Sequence, residues 1–280
     1  MAAFSYLTRA VHPALRPYVG VLSGYAYAGA PPALHRGLPS QHLTLVITMD
    51  EPIGIAWPGE PPGRYDASVG GLHSHAVHVG GSPNRAGIQL GLTPAGSRAL
   101  LGLPPGELAW RVIDLDEFLG PSAHRLVEQL REAGSWAERF DQVETALLRQ
   151  WAAPPPSGVR AEVDWAWRRL RAAHGSIGVQ ELAAEVGWSR RHLTDRFTAE
   201  FGLAPKVAAR VLRFEQAVAR LRRQPTVRLA DLAAGLGYAD QAHLTREWQA
   251  LAGCSPRQWI AEELPNVQDS RWLVGAESGA

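Results

Sequence analysis

The chain lacks much of what several protein classes require. It holds one cysteine, Cys254, among 280 residues, so neither an internal disulfide nor a cysteine-based zinc site can form. Its longest apolar run is Leu43-Thr44-Leu45-Val46-Ile47, far short of the roughly 20 residues a membrane-crossing helix needs. The opening Met1-Ala2-Ala3-Phe4-Ser5-Tyr6 has no charged start leading into an apolar stretch. No secretory leader and no membrane partner are expected, and a cytoplasmic location is the default reading. What is present is a globular composition, 46% hydrophobic and 20% charged, which excludes disorder and collagen-like repeats. The length suits about two domains.

The net charge of +1 hides an asymmetry. Residues 1–158 carry 11 Arg against 13 acids, whereas residues 159–265 carry 15 Arg and Lys206 against 12 acids. A basic second half points to an anionic partner. Proline divides the chain at the same place: 17 of the 21 prolines precede residue 157. The run Ala152-Ala153-Pro154-Pro155-Pro156-Ser157-Gly158 reads as a semi-rigid linker. The expected division is therefore a first domain over 1–151, a linker over 152–158, a second domain over 159–265 and a tail over 266–280.

In the first domain, Val19–Tyr27, Leu43–Met49, Ile53–Trp57, His75–Val79 and Ile88–Leu92 read as strands between Pro/Gly turns. Ser122–Ala133 and Trp136–Trp151 carry apolar residues at helical spacing. The fold class expected is α+β with two domains: a β-rich, cupin-like barrel ending in a helical pair, then an all-α domain.

The second domain contains an internal repeat. Leu182-Ala183-Ala184-Glu185-Val186-Gly187-Trp188 matches Leu232-Ala233-Ala234-Gly235-Leu236-Gly237-Tyr238, and His192-Leu193-Thr194 matches His243-Leu244-Thr245 one register further on. The same alignment pairs Phe197 with Trp248, Gly202 with Gly253 and Pro205 with Pro256. Each copy reads as a short helix stopped by Gly187 or Gly237. A second helix follows, capped by Ser189 or Asp240. This is a duplicated helix–turn–helix, whose second helix can lie in a major groove. Projection at about 100° per residue puts Leu193 and Phe197 on a core side and Arg191, Thr194, Asp195 and Thr198 on the outer face. In the second copy Leu244 and Trp248 take the core, and Ala242, Thr245, Arg246 and Gln249 the outer face. Arg suits guanine, Gln suits adenine, and Thr a base edge or the thymine methyl. These eight are the base-reading candidates. Ser189, Arg190, Arg213, Gln241 and His243 are the phosphate candidates.

Between the copies, Pro205–Arg222 reads as one helix, with Val207, Val211, Phe214, Val218 and Leu221 in a stripe and Arg213, Gln216, Arg220 and Arg223 on the other side. Its length of roughly 27 Å falls below the about 34 Å between successive major-groove segments on one face. Both second helices then engage one duplex only if the DNA bends or the helices tilt.

On these residues the chain resembles the AraC/XylS family of transcription regulators. The resemblance runs from Val163 to Leu264. It includes Ser189-Arg190-Arg191-His192-Leu193 and Phe201-Gly202-Leu203-Ala204-Pro205-Lys206. Its most specific part is Gly237-Tyr238-Ala239-Asp240-Gln241-Ala242-His243-Leu244-Thr245-Arg246-Glu247 with Ala252-Gly253-Cys254-Ser255-Pro256. It implies a double-stranded DNA partner, two second helices in successive grooves, control of transcription at a promoter and contact with RNA polymerase. The chain departs from the family pattern at Asp195, where Arg is frequent, and at Leu244, where an aromatic is frequent. Three roles stay open for Asp195: accepting from a cytosine amino group, holding Arg191 one turn earlier, or marking a copy that reads less sequence.

The first domain is similar, less specifically, to the sensory or dimerisation domains joined to this unit. Tyr25, Tyr27, His35, His42 and Trp57 are candidate lining for a small-molecule effector. The alternative is a constitutive regulator whose first domain only dimerises or makes protein contacts. A third reading, a metal-dependent cupin-type enzyme, would start from His73, His75 and His78, but no carboxylate follows His75 until Glu107. No cofactor, metal or catalytic residue is implied, and Cys254 has no neighbouring base to make it a nucleophile.

Overall fold

The computed structural model describes residues 3–29, 35–80, 82, 84–150 and 158–263. The proline run over 152–157 and the tail over 266–280 lie outside the described residues. The chain forms two compact units: Met1–His35, His42–Leu72 and His78–Gly158 make the first, and Arg36–Gln41, His73–Val77 and Val159 onward the second. No helix among the described residues is long and apolar enough to cross a membrane.

The strands are β1 (Ala3–Thr8), β2 (Val19–Ala28), β3 (His35–Gly37), β4 (Leu43–Thr48), β5 (Ile53–Ala56), β6 (Gly63–Tyr65), β7 (Ala67–Gly70), β8 (Val77–Val79), β9 (Arg85–Leu92) and β10 (Val112–Asp114). They build a six-stranded sheet in the order β1-β2-β9-β4-β7-β10 and a four-stranded sheet in the order β3-β8-β5-β6. Short helices α1 (Pro94–Gly96), α2 (Pro105–Leu108) and α3 (Asp116–Leu119) precede the expected pair, α4 (Pro121–Glu132) and α5 (Trp136–Gln150).

Register sorts the large sheet into two chemically different faces, because side chains alternate along each strand. Leu22 pairs with Leu90 and Leu90 with Leu45, while Ile88 pairs with Ile47 and Leu92 with Leu43. These residues share an apolar face and are at most 3% exposed. Helices α4 and α5 cover it. Gly24 on β2 leaves the space that the Trp136 ring fills, with Phe140 beside it. A small apolar cavity of ≈ 20 Å³, lined by Leu45, Leu90, Leu126, Val143 and Leu147 among others, lies within this layer. The opposite face is polar. Tyr27 pairs with Arg85, Tyr25 with Gly87, and Ser23 with Gln89, which in turn pairs with Val46.

The second unit is helical throughout residues 159–263: α6 (Ala161–Ala172), α7 (Val179–Glu185), α8 (Arg190–Phe201), α9 (Pro205–Arg223), α10 (Leu229–Gly235), α11 (Gln241–Ala252) and α12 (Pro256–Glu263). The repeat dictates local geometry. Gly187 and Gly237 have φ of 70° and 73°, and Gly202 and Gly253 both 71°, the left-handed region where a Cβ is costly. The Ser189 hydroxyl accepts from the His192 N–H at 3.2 Å, and the Asp240 carboxylate from the His243 N–H at 2.6 Å. Each cap satisfies an amide that the helix itself leaves unpaired.

Packing follows the same duplication. Leu193, Phe197, Leu244 and Trp248 are fully buried. In the first copy Trp167 stacks on Phe201 at 4.5 Å, and Phe201 lies 4.6 Å from Phe197. In the second, Trp248 meets Phe214 edge-on at 4.8 Å and Trp259 at 5.5 Å. Helix α9 serves both copies. Val211, Phe214, Val218 and Leu221 of the expected stripe are buried and Val207 is half-buried; Ala208, Ala209, Leu212 and Ala217 are buried too, so the interior side of α9 is wider than one stripe.

Candidate nucleic-acid interface

The interface is assembled from the first turns and outer faces of α8 and α11. Because Leu193 and Phe197 anchor α8 inward, Arg190, Arg191 and Asp195 stand in solvent, with Thr194 and Thr198 half-buried beside them. The Arg191 side chain is 93% exposed, and it pairs with Asp195 at 3.9 Å. Of the three roles left open for Asp195, holding Arg191 has a contact to support it. At this distance and exposure the pair is weak.

On α11 the corresponding face holds exposed Gln241, Ala242, Arg246 and Gln249, with Thr245 half-buried. Arg246 makes no side-chain hydrogen bond or ion pair among the described residues. The hydroxyls of Thr194 and Thr245 donate to the carbonyls one turn back, Arg190 at 2.8 Å and Gln241 at 2.9 Å. Their lone pairs and methyl groups remain for contacts outside. Ser189 is exposed while capping α8.

Two phosphate candidates are turned inward. Arg213 was expected on an outer side of the connecting helix, but its side chain is 21% exposed. It donates to the Gly175 carbonyl at 3.0 Å and lies over the Tyr238 ring at 5.7 Å. The physical reason is that Gly175, Tyr238 and Glu247, all on other elements, close around its guanidinium. His243 is spent similarly. Its Nδ1 accepts from the Ala239 N–H at 3.2 Å, its Nε2 faces Glu247 at 3.6 Å, and its ring meets Tyr238 edge-on. Burial pushes the Tyr238 phenol up to about 12, with the Glu247 carboxylate adding to the effect. Arg220 and Arg223 stay exposed.

The residue that sequence reasoning missed is Glu247. Its side chain is 11% exposed and takes Arg210 at 3.0 Å and Arg213 at 3.6 Å. The repeat carried a signal: Glu247 occupies the position of the exposed Arg196 in the first copy.

Residues 182–262 match the family model described as a helix-turn-helix domain. The C-terminal part of the chain is an AraC-type helix-turn-helix domain. The match spans α8 and α11, the two capped helices. No curated protein matches the chain. Among solved structures, ToxT from Vibrio cholerae is similar over 92% of this chain and 98% of its own, at 8% identity and a TM-score of 0.51. A ToxT structure described as bound to an unsaturated fatty acid is similar over 91% and 97%, at 6% identity and 0.51. The C-terminal domain of AraT, a response regulator from Geobacillus stearothermophilus, aligns over 38% of this chain and 88% of its own, at 20% identity and 0.34. The likeness to ToxT is one of fold.

The candidate effector residues of the first unit are partly gathered. Tyr25 and Tyr27 share the polar sheet face with Arg85, and the His42 ring fills the space a Cβ on Gly20 would take and lies against Gly91. Burial pushes the Tyr25 phenol up to about 12, against the lowering influence of the Arg85 cation. Trp57 instead pairs with Trp110 at 6.2 Å, and His35 is exposed on β3. The ≈ 20 Å³ apolar cavity involves none of the five. Among the histidines weighed for a metal, His73 donates from Nδ1 to the His75 carbonyl at 2.6 Å. Burial holds its imidazole down at about 4. Among the described residues no three His, Cys, Asp or Glu side chains converge as a metal site.

Proposed function

We propose that this protein is a sequence-specific, double-stranded DNA-binding transcription regulator. In this reading α8 and α11 enter successive major-groove segments of one duplex. Arg191 and Arg246 supply the principal base contacts, with Thr194, Asp195, Thr198, Ala242, Thr245 and Gln249 around them. Ser189, Arg190 and Gln241, at the first turns, meet phosphates. The observation that carries it is the duplicated outer face: two capped helices, each anchored by a fully buried pair, each presenting an arginine to solvent. An Arg guanidinium offers two donors in the geometry of guanine O6 and N7. The bending or tilting needed for both helices to engage remains part of the proposal.

The first unit, on this reading, binds a small effector on the polar sheet face at Tyr25, Tyr27 and His42. The fatty acid in a fold relative makes an amphiphilic carboxylate the first class to test. The second reading, a module for dimerisation or polymerase contact, is favoured by one observation. On the polar face, Tyr6 of the edge strand β1 and Val21 of β2 are both 38% exposed, which suits a protein contact. Capture of genomic fragments by the purified chain, followed by affinity measurements across a salt series, tests the DNA reading. Enrichment of one sequence and a steep fall of affinity with salt are expected; fragments captured at random contradict it. A thermal-shift screen with fatty acids and aromatic acids separates the two readings of the first unit. Stabilisation by a ligand supports an effector, and none across the panel supports the interaction module.

A further inference from the structure

The connecting helix α9 carries a charged cluster that the proposed base and phosphate contacts leave unused. One oxygen of Glu247, on α11, faces Arg210 at 3.0 Å, Arg213 at 3.6 Å and His243 at 3.6 Å. The other end of the Arg213 guanidinium donates to the carbonyl of Gly175 at 3.0 Å. Gly175 lies in the turn between α6 and α7 and so belongs to the first helix-turn-helix half. That turn is seated tightly on α9: at φ 74°, a Cβ on Gly175 would collide with the carbonyl of Ala209. Arg213 therefore grips both halves, the first through Gly175 and the second through Glu247.

We infer that Arg213 and Glu247 are positioning residues that fix the two recognition helices in one mutual orientation, and so set the spacing between half-sites that the protein accepts. This rests on the DNA reading proposed above. Apolar packing of Trp248 on Phe214 holds α11 against α9 but tolerates small rotations. The Arg213 hydrogen bond to the Gly175 carbonyl fixes its planar guanidinium on the first half, and its ion pair at 3.6 Å with the carboxylate that Arg210 holds by a 3.0 Å hydrogen bond ties that guanidinium to the second. The lever is short. Glu247 follows Arg246 on the same helix, about 100° around its axis, so any rotation of the gripped carboxylate swings the reading arginine. One added base pair turns one half-site against the other by about 34°, which a rigid pair of helices cannot follow.

The experiment uses the full chain and duplexes selected by it from a random-sequence pool. The best two-part duplex is remade with one base pair inserted or removed between its halves, and affinities are measured by fluorescence anisotropy. For the wild type, the selected spacing should be preferred by about tenfold or more. In Arg213→Ala the preference should shrink to about twofold, with the half-site sequences chosen by the variant unchanged. Glu247→Gln, which keeps the shape and removes the charge, should shrink it as well. It decides the matter if Arg213→Ala melts before it can be assayed. Unchanged spacing preference in the folded variants overturns the inference while leaving DNA reading intact. A wild type that selects no two-part sequence overturns the DNA reading, and this inference with it.

Discussion

Arg246→Ala should weaken binding to a selected DNA site by roughly 5- to 150-fold, that is about 1–3 kcal/mol, while leaving the fold untouched. The structure separates the two effects. Arg246 is exposed and has no hydrogen bond or ion pair among the described residues, so its removal should change stability by less than about 0.5 kcal/mol. Its helix is held elsewhere, by Leu244 and Trp248 in the core and by Asp240 at the cap. The whole loss should therefore appear in DNA affinity, concentrated at one base position. Arg191 is the comparison. Its 3.9 Å pair with 67%-exposed Asp195 must be released before it reads a base, at a cost of less than about 1 kcal/mol. Arg191→Ala should thus be similar or slightly milder. Anisotropy titrations against single-base variants of the site, with thermal melts alongside, make the test. Weakening that is equal for every sequence and reduces the salt slope by about one would make Arg246 a phosphate contact and refute the base-reading assignment.

Three further outcomes are expected. Gly175→Ala should destabilise the protein by about 2–3 kcal/mol, since φ is 74° and the added carbon meets the Ala209 carbonyl; a melt within 1 °C of wild type contradicts the tight seating of this turn. Asp195→Ala should leave the melting temperature unchanged within about 0.5 kcal/mol and alter base preference in only one half of the selected site; changes in both halves contradict independent reading heads. The third concerns His73, whose folded pKa of about 4 lies below its ordinary 6.5. A depressed imidazole favours the neutral form in the fold, so its contribution is complete above pH 6.5 and is lost as pH falls towards 4. Melts of wild type and His73→Gln should show the wild type losing stability relative to the variant over that interval, and parallel curves contradict the burial of a neutral ring.

Local chemistry made α8 and α11 legible. Gly187 and Gly237, Ser189 and Asp240, and Leu193 with Phe197 against Leu244 with Trp248 are decided by neighbours a turn away, so the internal repeat placed them without a fold. Arg213 and His243 are the opposite case. A single-helix projection gives Arg213 a solvent face, because it cannot know that Gly175, Tyr238 and Glu247 close over it from other elements. In the first unit, the long apolar strands β2, β4 and β9 and the helices α4 and α5 announce themselves by periodicity. Five strands do not: β1, β3, β6, β7 and β10 range from three to six residues. They are short, Gly63 opens β6 and Gly70 closes β7, and pairing with neighbours, β7 with β10 and β4 for example, defines them where no local pattern does. The polar face of the large sheet was legible only in pieces, as two tyrosines and a histidine. The alternation Arg85, Gly87, Gln89, Gly91 on β9 completes it once register is known.

Dimethyl sulfate protection of guanine N7 on a selected duplex reports major-groove occupancy base by base, and so tests the account most directly. Two protected clusters on the same face, about one helical turn apart, are expected, one lost in Arg191→Ala and the other in Arg246→Ala. A single cluster, or protection indifferent to both substitutions, contradicts two reading helices acting on one duplex.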